Sequence, residues 1–139
     1  MIYYLSLGSN LGEREVTLRL ALQDIEQQIG PILCRSSFYY SEPWGFQSEH
    51  PFCNLCCAVE TSLSPIEVLS RTQEIECTLG RTVKSHEGTY ADRTIDIDLI
   101  RVFDDQGQEV FWDTPELTLP HKLWTQRDFV KVPLAEIMA

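Results

Sequence analysis

Two kinds of apolar spacing alternate along this chain, and their order limits the folds open to it. Ile2 to Leu7 is a β-prone run closed by Gly8-Ser9-Asn10, a strand entering a turn. Glu13 to Ile29 places Leu18, Leu22, Ile25 and Ile29 at helical spacing, one apolar stripe that Gly30-Pro31 ends. Ile32 to Tyr40 reads as a second strand, and Ser41 to Pro51, with its prolines, as a long loop. Phe52 to Thr61 returns to strand character. Ser64-Pro65-Ile66-Glu67 is a helix start: Ser caps, Pro suits the first turn, and Glu reaches back to the cap. That helix is expected to run to Leu79, with Gly80 as its stop. Thr94 to Phe103 is a fourth strand, and Asp104 to Gly107 a turn from which Gln108 to Trp112 pairs back as a short hairpin. The tail, holding Pro115, Pro120 and Pro133, is expected to be mostly irregular. The order βαββαβ predicts a ferredoxin-like α+β fold, a four-stranded antiparallel sheet with two helices packed on one face. That scaffold hosts many functions, so the chemistry must come from particular residues.

Composition narrows the function classes. At 139 residues the chain fits one domain, residues 1–139, large enough to bury a core without disulfides. Acids outnumber bases 21 to 11, a formal charge of −10. Binding to nucleic acid or to an anionic membrane needs a positive footprint, so neither is expected. No apolar run approaches a membrane span, and Met1 to Leu7 lacks the charged leader of a signal peptide. The expectation is a cytoplasmic protein and, by default, a monomer. Cys34, Cys53, Cys56, Cys57 and Cys77 read as buried thiols, since no second pair completes a zinc site with Cys53 and Cys56.

An acidic protein that handles phosphates needs local bases and a divalent cation, and both have candidates. In Thr94-Ile95-Asp96-Ile97-Asp98-Leu99-Ile100 the side chains alternate, so Asp96 and Asp98 share a face about 7 Å apart at Cα. Carboxylates so spaced can converge on Mg²⁺, which takes a few carboxylates plus substrate phosphates; a solvated sheet face with incidental acids is the alternative. Arg81, Lys84, His86 and Arg93 precede that strand in a polar stretch expected to be mobile. Two arginines bracketing a loop beside paired aspartates suit a lid over polyphosphate, though an ordinary polar loop has the same composition. Phe52 and Asn54 share one strand face, an aromatic plane beside a carboxamide that suits a flat heterocycle, although a strand Phe is more often core. His121, Arg127 and Phe129 follow Pro120, the first two able to touch phosphates and the third to stack.

Together these residues carry a resemblance. The chain resembles the 6-hydroxymethyl-7,8-dihydropterin pyrophosphokinases of folate biosynthesis, from the first strand almost to the end. The match rests on Leu7-Gly8-Ser9-Asn10-Leu11-Gly12, Ser36-Ser37-Phe38-Tyr39, Glu42-Pro43-Trp44-Gly45, Phe52-Cys53-Asn54, Gly80-Arg81, Arg93-Thr94-Ile95-Asp96-Ile97-Asp98 and Leu119-Pro120-His121. The resemblance implies that ATP donates its β,γ-diphosphate to the pterin hydroxymethyl group, leaving AMP. It implies that Asp96 and Asp98 hold two Mg²⁺ ions. Asn54 and the loop Ser41, Glu42, Pro43, Trp44 and Gly45 would recognise the pterin edge, and Phe52 and Phe129 would sandwich the ring. Arg81 and Arg93 would close over the phosphates, while Gln73, Glu76, Arg93, His121 and Arg127 line the ATP side. Three positions depart from the family pattern: the 81–93 loop is about two residues longer by comparison, Tyr90 stands where a tryptophan is common, and Lys122 where an aromatic is. A binding module that senses a nucleotide or pterin is the competing class; it would keep Phe52 and Asn54 but has no use for the paired aspartates beside Arg93.

Overall fold

A computed structural model of the chain describes residues 1–10, 12–41, 51–80 and 95–138. The predicted site residues Glu42, Pro43, Trp44, Gly45, Arg81 and Arg93 lie outside the described residues, as do Lys84, His86 and Tyr90.

The elements follow in the order β1 (Ile2–Ser9), α1 (Arg14–Gln28), β2 (Ile32–Arg35), β3 (Tyr39–Ser41), β4 (Phe52–Glu60), α2 (Pro65–Gly80) and β5 (Asp96–Phe103). A two-stranded ribbon, β6 (Trp112–Asp113) and β7 (Thr118–Leu119), then leads through a single 3₁₀ turn, Trp124–Gln126, into α3 (Asp128–Ile137). The main sheet runs β2-β4-β1-β5, with β3 also paired to β4, and every pairing is antiparallel. This is the ferredoxin-like arrangement expected from the sequence, with β1 and β4 at its centre.

The helices form where the pattern placed them. Leu18, Leu22, Ile25 and Ile29, the α1 stripe, are all buried, together with Val68 and Ile75 of α2, against Tyr3, Leu5 and Leu7 of β1. At the start of α2 the Ser64 amide donates to Glu67 Oε1 at 3.0 Å and the Glu67 amide to Ser64 Oγ at 3.3 Å. This reciprocal cap satisfies two of the amides that a helix start leaves open.

Four expectations need correction: Cys34, on the edge strand β2, and Cys77, on α2, are exposed rather than buried, and the other three concern the elements themselves. The strand expected over 32–40 is two short strands, interrupted where Ser36 and Ser37 divert the backbone. Ser36 Oγ accepts from the Cys56 amide at 2.9 Å, and Glu136 Oε1 accepts from the Ser37 amide and hydroxyl at 2.8 and 2.7 Å. Ser36 Oγ also donates to the Ser37 carbonyl at 2.9 Å, a local bond of the kind that competes with a ladder. The tail is not mostly irregular, because residues 128–137 form α3 despite Pro133 inside it. Proline removes one helical hydrogen bond there, but Val130, Pro133 and Leu134 are buried, and that apolar stripe decides the outcome. Nor do helices cover only one face: α3 packs on the opposite face, where Cys56 and Ile100 meet Val130 and Leu134. Both faces of β4 are therefore covered, and Cys53 through Val59 are all buried.

The expected hairpin after β5 exists in reduced form. Asp104 Oδ1 accepts from the Gln106 and Gln108 amides, both at 2.9 Å, closing the turn. Phe103 then bridges Glu109, while Trp112 and Asp113 pair onward with β7. Among the described residues no helix is long and apolar enough to cross a membrane.

Candidate active site

The site grows from the register of the three inner strands. Gly8 of β1 lies opposite Asn54 of β4 on one side and Asp96 of β5 on the other; Ser6 lies opposite Cys56 and Asp98 in the same way. Two adjacent rows thus cross the sheet, Asn54–Gly8–Asp96 and Cys56–Ser6–Asp98, on the face that α3 covers only in part. Ile95, Ile97 and Leu99 point to the other face and are buried in the main core, as the alternation required. Asp96 and Asp98 remain half-buried.

Gly8 is the floor of the first row. A Cβ there would stand 2.8 Å from Asn54 Oδ1 and 3.4 Å from Phe52 Cδ1. The missing side chain lets the Asn54 carboxamide and the Phe52 ring lie close over β1. Asn54 is itself buried, and its Nδ2 donates to the Tyr39 carbonyl at 3.1 Å and to Ser41 Oγ at 2.8 Å. A carbonyl can only accept, so the amide orientation is fixed by its partners. Both N–H groups are engaged, and the carboxamide offers its oxygen as an acceptor.

On the opposite side of β5, α2 brings a third carboxyl. Glu76 Oε2 accepts from the Ile97 amide at 2.7 Å, an amide on the outer edge of the sheet between the two aspartates. Burial pushes the Glu76 carboxyl up to about 8, aided by the charges of Asp96 and Asp98 and a hydrogen bond with Asp96, against the lowering effect of the Ile97 amide. Negative potential is therefore concentrated at this end of β5, which is the environment a divalent cation relieves. Among the described residues no three His, Cys, Asp or Glu side chains are arranged to hold a metal ion. A metal here would draw on the two aspartates and take its other oxygens from a ligand, the usual manner of Mg²⁺.

The third wall is the segment from His121 to Phe129. The His121 amide donates to the Ile100 carbonyl at 2.8 Å, which fastens the segment to β5. Its ring Nδ1 accepts from the Leu123 amide at 3.1 Å, so the neutral imidazole carries its proton on Nε2. Burial lowers its pKa, with the Arg127 charge acting the same way and Asp96 opposing. Arg127, also buried, holds Nη1 4.0 Å from Asp98 Oδ2 and its guanidinium 5.6 Å from the centre of the Phe129 ring.

The family model for 7,8-dihydro-6-hydroxymethylpterin-pyrophosphokinase (HPPK) matches residues 4–139. This chain belongs to the HPPK family. Among curated relatives, a 2-amino-4-hydroxy-6-hydroxymethyldihydropteridine pyrophosphokinase of Porphyromonas gingivalis is 48% identical over 138 residues, covering 98% of this chain and 90% of its own. The enzyme of the same name from Bacillus subtilis is 39% identical over 137 residues, covering 98% of this chain and 77% of its own. A crystal structure of an HPPK-DHPS in complex with substrates superposes with a TM-score of 0.71 at 15% identity, covering 98% of this chain. A Plasmodium falciparum HPPK-DHPS triple mutant gives 0.67 at 16% identity, over 97% of this chain. This chain spans 40% of the length of each of those two structures, and they bear on the fold alone.

In this HPPK fold Asn54, Phe52, Asp96 and Asp98 lie on one sheet face, Ser41 reaches it through Asn54, and Arg127 reaches it through Asp98. His121 is fixed at its border by Ile100. Phe129 packs on the small cluster under α3, beneath Arg127. Glu76 enters at the edge of β5, while Gln73, one turn earlier on α2, is solvent-exposed. Three contributors were not identified from sequence: Gly8 as the floor, Tyr39 as the anchor of Asn54, and the Ile100 carbonyl as the anchor of His121. The glycine after a strand was visible, but only the register shows what it stands between.

Proposed function

We propose that this pyrophosphokinase of folate biosynthesis transfers the β,γ-diphosphate of ATP to the hydroxymethyl group of 6-hydroxymethyl-7,8-dihydropterin, with release of AMP. The single observation that carries this reading is the pair of rows across the sheet, an amide oxygen and an aromatic ring on one side of Gly8 and Ser6 and two carboxylates on the other.

The residues divide the work by chemistry. Asn54 presents an acceptor, which suits the N–H edge of a pterin, and Phe52 offers a ring face for stacking. Phe129 would form the second slice, and Ser41, Glu42, Pro43, Trp44 and Gly45 the rim. Asp96 and Asp98 would hold two Mg²⁺ ions. Bound there, Mg²⁺ supplies neutralisation of phosphate charge and a lowered pKa for the attacking hydroxyl. Attack at the β-phosphorus needs in-line positioning and charge compensation more than covalent help. Arg127 and the neutral Nε2–H of His121 are donors on the phosphate side, and Gln73 and Glu76 would line the ATP side beside them. Arg81 and Arg93 are assigned to loop closure over the phosphates, which excludes water and limits wasteful hydrolysis. The 139 residues are read as one domain acting as a cytoplasmic monomer.

The test is a product assay with ATP, Mg²⁺ and the hydroxymethyl pterin that resolves AMP from ADP. AMP rising in step with diphosphorylated pterin is the expected result. ADP would mean single phosphoryl transfer, and no nucleotide product despite tight pterin binding would move the reading to a binding module.

A further inference from the structure

β5 does not continue its register evenly beyond the aspartates. Leu5 lies opposite Leu99, but Tyr4 lies opposite Arg101, so Ile100 is an extra residue bulged out of the ladder. The bulge has two effects. It turns the Ile100 carbonyl toward the His121 amide, which donates to it at 2.8 Å. It also places Arg101 on the face of Tyr4, the same face as Asp98, where α3 and the 3₁₀ turn pack.

Arg101 is heavily engaged there. Its Nε and Nη2 meet Glu109 Oε2 and Oε1 at 2.9 and 2.7 Å, a two-pronged ion pair between half-buried groups. Its guanidinium stands 5.1 Å from the centre of the Phe103 ring and 5.4 Å from that of Trp124. Nη1 approaches Met138 Sδ at 3.7 Å, beyond the end of α3. Trp124 is the key contact, because its amide donates to the His121 carbonyl at 3.4 Å. Backbone bonds thus hold His121 through its amide, its carbonyl and its Nδ1, and the turn that supplies two of them rests on the Arg101 guanidinium.

We propose that Arg101, clamped by Glu109, is a positioning residue that acts through Trp124 to hold the His121 ring with Nε2–H facing the nucleotide. The proposal rests on the reading above, in which His121 meets ATP. The guanidinium plane stacks on rings while its fork is held by a carboxylate, a combination a lysine cannot reproduce. Arg101 lies outside both sets of residues assigned above to substrate; its effect is expected mainly on the nucleotide side, because the pterin residues other than Phe129 come from β1, β3, β4 and the loop before β4.

The test replaces both charges at once, Arg101→Met with Glu109→Gln, so that no half-buried charge is stranded. Steady-state rates are measured against ATP and against hydroxymethyl pterin, and the His121 ring nitrogens are followed by ¹⁵N NMR. The expected result is a KM for ATP raised about three- to tenfold, the scale of coupling between contacting residues. The KM for pterin should change by less than about twofold on the same scale, and the His121 nitrogen signals should move from a single Nε2–H tautomer toward a mixture. In a His121→Ala background the same change should add nothing to the KM for ATP. Unmoved nitrogen signals with an unchanged KM for ATP would overturn the proposal. So would a parallel rise in both KM values with a lowered Tm, or full additivity with His121→Ala. Shifted signals while His121→Ala alone leaves the KM for ATP unchanged would uphold the positioning and overturn only the assignment of His121 to the nucleotide. Should the double variant fail to fold, Arg101→Lys, which keeps the charge but not the fork, carries the same measurements with smaller expected shifts.

Discussion

Replacing Gly8 by alanine is the most incisive perturbation of the site. The new Cβ would lie 2.8 Å from Asn54 Oδ1, with Phe52 Cδ1 next at 3.4 Å. Carbon and oxygen do not approach that closely, so the carboxamide must move by a few tenths of an ångström. It is not free to do so, because its nitrogen is tied to Tyr39 and Ser41 at 3.1 and 2.8 Å. Overpacking of this kind costs about 1–3 kcal/mol, offset by about 0.5–1 kcal/mol gained when a strand glycine becomes alanine. The net cost is about 0–2.5 kcal/mol, and at about 3–4 °C per kcal/mol for a domain of this size Tm should fall by up to about 10 °C. Pterin affinity should fall about two- to tenfold, the scale of one misplaced neutral hydrogen bond. ATP affinity should hold, since the nearest atoms all belong to Asn54 and Phe52. The assays are thermal unfolding and calorimetric titration with each substrate, repeated in an Asn54→Ala background that removes the obstructing oxygen. There the added methyl should cause no further loss of stability. Unchanged Tm and pterin affinity in Gly8→Ala, or equal losses in both backgrounds, would refute the reasoning.

Other predictions follow from the same geometry. Asp96→Ala and Asp98→Ala should each abolish turnover while the metal-free fold persists; Asp96→Ala relieves the crowd of carboxyls around Glu76, whereas Asp98→Ala also removes a charge facing the buried Arg127 and should gain no stability; wild-type rates in either variant remove that residue from the metal site. Phe52→Ala should weaken pterin binding and spare ATP binding, whereas equal losses with a lowered Tm would make Phe52 a core residue. Gly30→Ala should leave little folded protein, since its Cβ would meet the Glu60 carbonyl oxygen at 2.1 Å; a variant that expresses and melts like wild type contradicts the close approach. The Glu109 carboxyl is held below its ordinary value of 4.5 by its hydrogen bonds to Arg101. Its contribution to stability is therefore present above pH 4.5 and is lost as pH falls through the depressed folded value. Melting curves of wild type and Glu109→Gln should accordingly converge on acidification and separate at neutral pH.

Much of this protein was legible in its sequence, and the parts that were share a physical cause. Periodicity is a local property, so the helical stripe of Leu18, Leu22, Ile25 and Ile29 and the alternation through Asp96 and Asp98 could be read without tertiary knowledge. The Ser64–Glu67 cap is likewise local, a reciprocal bond across three residues. The α3 helix was missed because Pro133 argues against a helix locally, while burial of Val130, Pro133 and Leu134 against the sheet argues for it more strongly. The break after β2 was missed for a similar reason: Ser36 and Ser37 find their partners in Cys56 and Glu136, both distant in sequence.

By itself, then, the sequence determined which segments become strands and helices, their order, and that two aspartates share a face of the last long strand. It also carried the family resemblance, because the motifs are contiguous. Only the tertiary structure decided what stands beside those aspartates. Register set Gly8 between Asn54 and Asp96, packing of α2 delivered Glu76 to the edge of β5, and a bulge at Ile100 fastened His121 to the same strand. Each of these joins residues far apart in the chain, and such meetings are fixed by hydrogen-bond register and core packing rather than by local preference.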